Sequence, residues 1–166
     1  MTFGQWLVIA CLCIPTAATA WSAEPTAVFD LGFDDTSLQG QEQGPRADEQ
    51  KRLLSLDHQL RDLLVQSGCC AIVSTTAVAQ AAATADWRNC GGCDVDLARK
   101  IGACIAVTGW VQKVSNLILN INLVARDVAS GRVISAGSVD IRGNTDESWT
   151  RGLSYLLRNR MHPAQW

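Results

Sequence analysis

A single mixed β-sheet of about five strands, ending in a three-strand antiparallel meander and packed by helices on one side, is the α/β (α+β) fold this sequence predicts. Three observations point there. Apolar runs rich in Val and Ile follow one another closely between residues 104 and 142, separated only by short polar turns. Upstream, Leu53, Leu56, Leu60, Leu63 and Leu64 recur at three- and four-residue steps, the spacing of one helix face. The chain is 48% hydrophobic and 18% charged with a formal net charge of −2, a balance that supports a packed core and excludes disorder.

The elements follow in order. Residues 26–33 alternate well enough for a first strand, and residues 34–47, rich in Asp, Ser, Gly, Gln and Pro, read as an exposed loop. The leucine stripe places a helix over 47–67, closed by Gly68. Residues 70–74 form a short strand, and the Ala-rich stretch 75–84 a short helix. A polar loop over 86–93 leads into a helix over 94–101, stopped by Gly102. Strands over 104–114, 117–127 and 132–142 are joined at Ser115-Asn116 and at Ala129-Ser130-Gly131. The last helix runs from Thr145 to about Arg160, with Asn144 as N-cap, Glu147 three residues on, and Trp149, Leu153, Leu156 and Leu157 as its apolar stripe.

The meander can be placed in register. With a three-residue loop at 129–131, Ile121 falls opposite Val139 and Leu119 opposite Ile141. That sets Asn122 opposite Ser138 and Asn120 opposite Asp140, and a one-residue slip would set Asp140 against Leu119. One sheet face then carries Asn120, Asn122, Ser138, Asp140 and Arg142, either as a solvated surface or as a docking face.

The first twenty residues read as a signal peptide. Residues 7–14 are apolar, and Ala18-Thr19-Ala20 supplies a small-x-small cleavage site, although no Lys or Arg precedes the run. Cleavage near Ala20 leaves residues 21–166 as one globular α/β domain in the periplasm. Val8-Ile9-Ala10-Cys11 only loosely resembles a lipidation box, with too little chain ahead of it for a leader. No run reaches the length of about 20 apolar residues needed to span a bilayer. No basic stripe could neutralise a phosphate backbone, so nucleic acid is not an expected partner.

Cysteine usage carries the chemical question. Loss of Cys11 and Cys13 with the leader leaves Cys69, Cys70, Cys90, Cys93 and Cys104, an odd number in an oxidising compartment. Cys104, opening an apolar strand, reads as a small buried hydrophobe. Cys90-Gly91-Gly92-Cys93 lies just before a helix, where a thiolate is stabilised, so Cys90 could attack and Cys93 resolve in thiol–disulfide exchange. With a long loop rather than a strand ahead of Cys90, the same pair reads more simply as a disulfide stapling the loop, and a zinc site would need two further ligands. The adjacent Cys69 and Cys70 are not expected to bridge each other, because that geometry is strained. His58 and His162 have no nucleophile or carboxylate at triad spacing. Asp30, Asp34 and Asp35 could face a cation but read more simply as solvated strand-end carboxylates. No cofactor or metal is expected.

The segments Cys90-Gly-Gly-Cys-Asp-Val-Asp-Leu-Ala-Arg-Lys-Ile-Gly102, Val111-Gln-Lys-Val-Ser-Asn-Leu-Ile-Leu-Asn-Ile-Asn122 and Ser138-Val-Asp-Ile-Arg-Gly-Asn-Thr-Asp-Glu-Ser-Trp149 carry a resemblance to a family of exported bacterial proteins known only as a domain of unknown function. The element order, with the hairpin turn near Ser130-Gly131, is also similar to the amino-terminal domain of the Tol-system translocation protein, to the curli secretion lipoprotein and to outer-membrane activators of peptidoglycan synthases. Those relatives are mostly interaction modules. The resemblance therefore implies a non-enzymatic accessory module with a periplasmic or envelope protein as partner, to which the Cys90 and Cys93 reading adds a disulfide staple. The alternative is a periplasmic oxidoreductase using Cys90 and Cys93.

Overall fold

The computed structural model describes residues 23–166; the expected leader lies outside them. Its centre is one mixed sheet of six strands. In chain order these are β1 (Glu24–Val28), β2 (Gly32–Asp35), β3 (Cys70–Val73), β4 (Ile105–Ser115), β5 (Ile118–Asp127) and β6 (Val133–Ile141). The spatial order is β3-β1-β4-β5-β6, with β2 beside β4 beyond the end of β1. β3, β1, β2 and β4 run parallel; β4, β5 and β6 form the expected antiparallel meander.

The expected first strand is two strands. Between the pairs Val28–Val107 and Gly32–Trp110 the leading chain takes four steps while β4 takes three, so one residue is extruded, as in a bulge. The helix α2 (Ala47–Gln66) makes this break tenable. Its Asp57 accepts a hydrogen bond from Leu31 N at 2.8 Å, and its Arg61 donates to Val28 O at 3.0 Å, so backbone groups that leave the ladder keep partners. Residues 34–47 also differ from the expected open loop: β2 continues to Asp35 and a short helix α1 (Leu38–Gln43) follows. Ser37 caps it, its side chain accepting from Gly40 N.

On one sheet face α2 and the last helix α5 (Asp146–Leu156) bury the main core. Leu56, Leu60 and Leu64 of α2 and Trp149, Leu153 and Leu156 of α5 pack on Val107, Val111, Leu119, Ile121 and Leu123. α5 sits so close to β6 that a Cβ on Gly152 would approach Ile141. On the other face a smaller cluster lies where α3 (Ala79–Ala83) and α4 (Cys93–Lys100) cross the β1 side of the sheet; Val95, Leu97 and Ala98 cover Ala27, Phe29 and Ala106 there. The remainder of that face, across β5 and β6, is half-buried or exposed.

Three further expectations change. The α5 N-cap is Thr145, in a capping box with Ser148, because the Asn144 side chain is engaged elsewhere. Beyond Leu156 the helix widens into a π turn over Leu157–Met161 instead of running on as α-helix. Cys104 is free and exposed, whereas its neighbour Ala103 is buried: its backbone bonds to Pro25 O and from Val128 N fix it at the rim, beyond the cover of α4.

Candidate functional site

Three features of the molecule carry chemistry. The first is the cysteine loop. Asp86 organises it, its backbone oxygen accepting from Asn89 N and Cys90 N and its carboxylate from Arg88 N and the Asn89 amide. Gly91 and Gly92 follow with φ of 66° and 106°, left-handed values that side chains resist, which is why two glycines stand between the cysteines. Cys90 and Cys93 are joined in a disulfide with Cα atoms 5.5 Å apart. The next residue, Asp94, is buried and meets Arg126 of β5 at 3.2 Å, so the loop is tied to the sheet as well as to itself. Cys69 and Cys70 are bonded to each other at the entrance to β3, against the expectation from adjacent-residue geometry. The turn holds them there: Glu24 N donates to Cys69 O at 2.7 Å, and the Ser67 hydroxyl lies 3.0 Å from the Cys69 sulfur.

The second feature is the polar sheet face. The register pairs Asn120 with Asp140 and Asn122 with Ser138, and Leu119 and Ile121 with Ile141 and Val139. Asn120 Nδ2 donates to Asp140 at 2.7 Å and the Ser138 hydroxyl donates to Asn120 Oδ1 at 3.0 Å, so these side chains hold one another in place. Arg142 is exposed at the end of the same strand. Sequence reasoning missed the extension of these rows. Gln112 lies opposite Asn120 and Trp110 opposite Asn122, and β2 adds Asp34 beside Gln112. One polar row thus crosses four strands: Asp34, Gln112, Asn120, Asp140. Arg88 borders it, paired with Asp34 at 2.8 Å and with its guanidinium 5.8 Å from the Trp110 ring centre. Alternation along β4 would have exposed Trp110 and Gln112; nothing local announced β2.

The third feature is a buried ionic network at the far end of β4. Lys113 is fully buried and donates to Glu49 at 2.7 Å, Asp35 at 3.1 Å and Gln39 at 3.2 Å. Burial alone would lower its pKa, but the bonds to Glu49 and Asp35 outweigh it and hold the ammonium above its ordinary value. Asn144 donates to Glu49 at 2.6 Å and accepts from Trp149 Nε1 at 3.0 Å, which ties the network to α5. Asp35 therefore belongs to this network and Asp34 to the polar row. Asp30 pairs with Arg61 at 2.6 Å. The three acids are not brought together, and no group of three or more potential metal ligands forms among the described residues.

A family model, DUF3280, described as a protein of unknown function (DUF2380), matches residues 24–161. No curated protein matches the chain in sequence. The fold is similar to the LpoB C-terminal domain from Salmonella enterica, with TM-score 0.52, 17% identity, and coverage of 76% of this chain and 87% of that one. It is also similar to the PelC dodecamer from Paraburkholderia phytofirmans, with TM-score 0.53, 11% identity, and coverage of 89% of this chain and 96% of that one.

Proposed function

Because the chain belongs to DUF3280, a family whose function is unknown, its role has to be argued from its own residues, and we propose that it is an exported, non-enzymatic accessory module that docks a folded protein of the bacterial envelope. The observation that carries this reading is the open face of β5 and β6. Asn120, Ser138 and Asp140 are pre-organised by mutual hydrogen bonds, with Asn122 and Arg142 alongside. Side chains already fixed in one geometry lose little freedom on binding, which favours a specific polar contact. The export signal in residues 1–20 and the disulfides at both cysteine pairs fit an oxidising compartment. Cys90–Cys93 serves as a staple, since Asp86 and Asp94 fix the same loop by independent bonds.

A photo-crosslinking residue placed at Ser138 tests this in the native envelope, with one at Lys51 on α2 as control. One protein should be captured from Ser138 only, and capture should be lost when Asn120→Ala and Asp140→Arg are added. Equal capture from both positions, or none from Ser138, would sink the docking reading. The oxidoreductase alternative is separated by titrating Cys90–Cys93 against redox buffers. A staple opens below about −300 mV, whereas exchange enzymes work roughly between −270 and −120 mV.

A further inference from the structure

We infer that the crevice between the carboxyl ends of β1 and β3 binds a small apolar amine. The inference goes beyond the docking face, which lies on other strands, and stands without it. It starts from topology. β1 and β3 are adjacent and parallel, yet the helices that follow them lie on opposite faces. From β1 the chain runs on in the sheet as β2 and then, through α1, reaches α2 on the face of the main core; from β3 it proceeds to α3 and α4 on the opposite face. Two neighbouring parallel strands whose connections diverge leave a gap beyond their carboxyl ends, the place where open α/β sheets bind ligands.

A cleft of about 320 Å³ lies there, within the lower range of small-ligand sites. Its walls come from the segment after β1, from Thr75 after β3, from α3 and from Trp87. Most of the lining is apolar: Phe29, Leu31, the alanines of α3, and Trp87, whose ring meets Phe29 with centroids 4.8 Å apart. The lip is firmly built. Asp57 and Arg61 of α2 hold Leu31 N and Val28 O, so the stretch that breaks away from β4 is fixed by buried or half-buried side chains.

The polar groups select the ligand. Among the described residues Asp30 is the only charged one lining the cleft, and Thr75 and the indole of Trp87 supply the other side-chain polar groups. Arg61 engages Oδ1 of Asp30, and among the described residues no other hydrogen bond is made to that carboxylate. Its second oxygen is thus available at the cleft mouth, where Asp30 is exposed and shares its charge with Arg61, and among the described residues no cation lines the slot itself. A ligand with an aromatic or aliphatic body and an ammonium head matches that arrangement, and an organic anion does not.

The test uses the exported protein labelled with ¹⁵N and titrated with 2-phenylethylamine, with phenylacetate as the anionic counterpart. The amine should shift the amide signals of residues 29–32 and Thr75 and the indole N–H of Trp87, with phenylacetate at least tenfold weaker. Ala83 is exposed on α3 and lines the cleft, so Ala83→Leu should fill it without disturbing the fold and weaken the amine at least tenfold. Asp30→Asn should weaken the amine several-fold. Shifts that fall elsewhere or are absent at millimolar amine overturn the site, as does unchanged affinity in the Ala83→Leu protein. Equal binding of amine and acid overturns the ligand class. None of these variants touches Asn120, Ser138 or Asp140, so failure here leaves the crosslinking experiment unaffected.

Discussion

Asp57 and Lys113 are buried ionisable residues with opposite consequences. Asp57 is 4% exposed, and burial pushes its pKa up to about 6, with the nearby Asp30 adding to the rise and the Leu31 N–H and Arg61 partly offsetting it. A carboxyl that holds its proton more tightly folded than unfolded favours the folded state at low pH. The contribution is complete below about pH 4 and is lost as pH rises through about 6. Asp57→Asn keeps an acceptor for Leu31 N but cannot ionise. It is expected to be the more stable protein near neutral pH, by no more than about 3 kcal/mol, and to lose that advantage near pH 4 in urea titrations. An advantage that persists at low pH would mean that packing, not charge, is responsible. Lys113 is the reverse case, because its charge is matched. Lys113→Met leaves Glu49 buried without its cation and should cost about 3–5 kcal/mol, with part of the loss recovered by adding Glu49→Gln. These roles were only half legible in sequence. Lys113 sits at an inward position of β4, two residues from Val111, which alternation reveals. Its partners come from residues 35, 39 and 49, and no local pattern names them.

The elements that sequence reading places well are those with strong internal periodicity. α2 and the meander lie within a residue or two of their expected bounds, and the β5–β6 register matches in all four pairs derived from the 129–131 loop. Where tertiary bonds decide, local rules mislead. Asn144 has the residue type and spacing of an N-cap, yet its amide is drawn to Glu49 and Trp149, and the cap passes to Thr145. Substitution separates the two: Thr145→Ala should cost about 1 kcal/mol, the usual loss for a cap. Asn144→Ala should cost more, since it removes one of the two donors to the buried Glu49 carboxylate and leaves the Trp149 indole N–H without its acceptor. Equal small losses would contradict this division of labour. The cysteine loop is a second case at this scale. Closing so short a segment constrains the unfolded chain little, so Cys90→Ser should lower stability by only about 2 kcal/mol. Hydrogen exchange should then quicken over residues 86–93 and be unchanged in β5.

Across the whole molecule β4 joins two halves of different character. It pairs with β1 and β2 on one side and β5 on the other. The parallel half holds the crevice and the antiparallel half the polar face. The sequence shows the second half clearly, because its strands are consecutive and joined by short turns. It obscures the first, because β1, β2 and β3 are short and find their partners, β4 for the first two and β1 for the third, only across long stretches of chain. That asymmetry has a measurable counterpart. A strand bonded on both sides and covered by core on the α2 and α5 face can open only when the whole fold opens, whereas an edge strand of four residues opens alone. Native-state hydrogen exchange should therefore find the slowest amides in β4, between Val107 and Val111, at the free energy of global unfolding. β3 and α3 should exchange through smaller openings. Val111→Ala lies beneath α2 and α5 and should accelerate exchange in both halves together. Ile72→Ala, on the edge strand, should accelerate exchange in the parallel half and leave Asn120, Asn122 and Ser138 protected as before. If β3 instead exchanges as slowly as β4, the two halves form one cooperative unit. Occupancy of the crevice would then be coupled to the polar face by the same unfolding equilibrium.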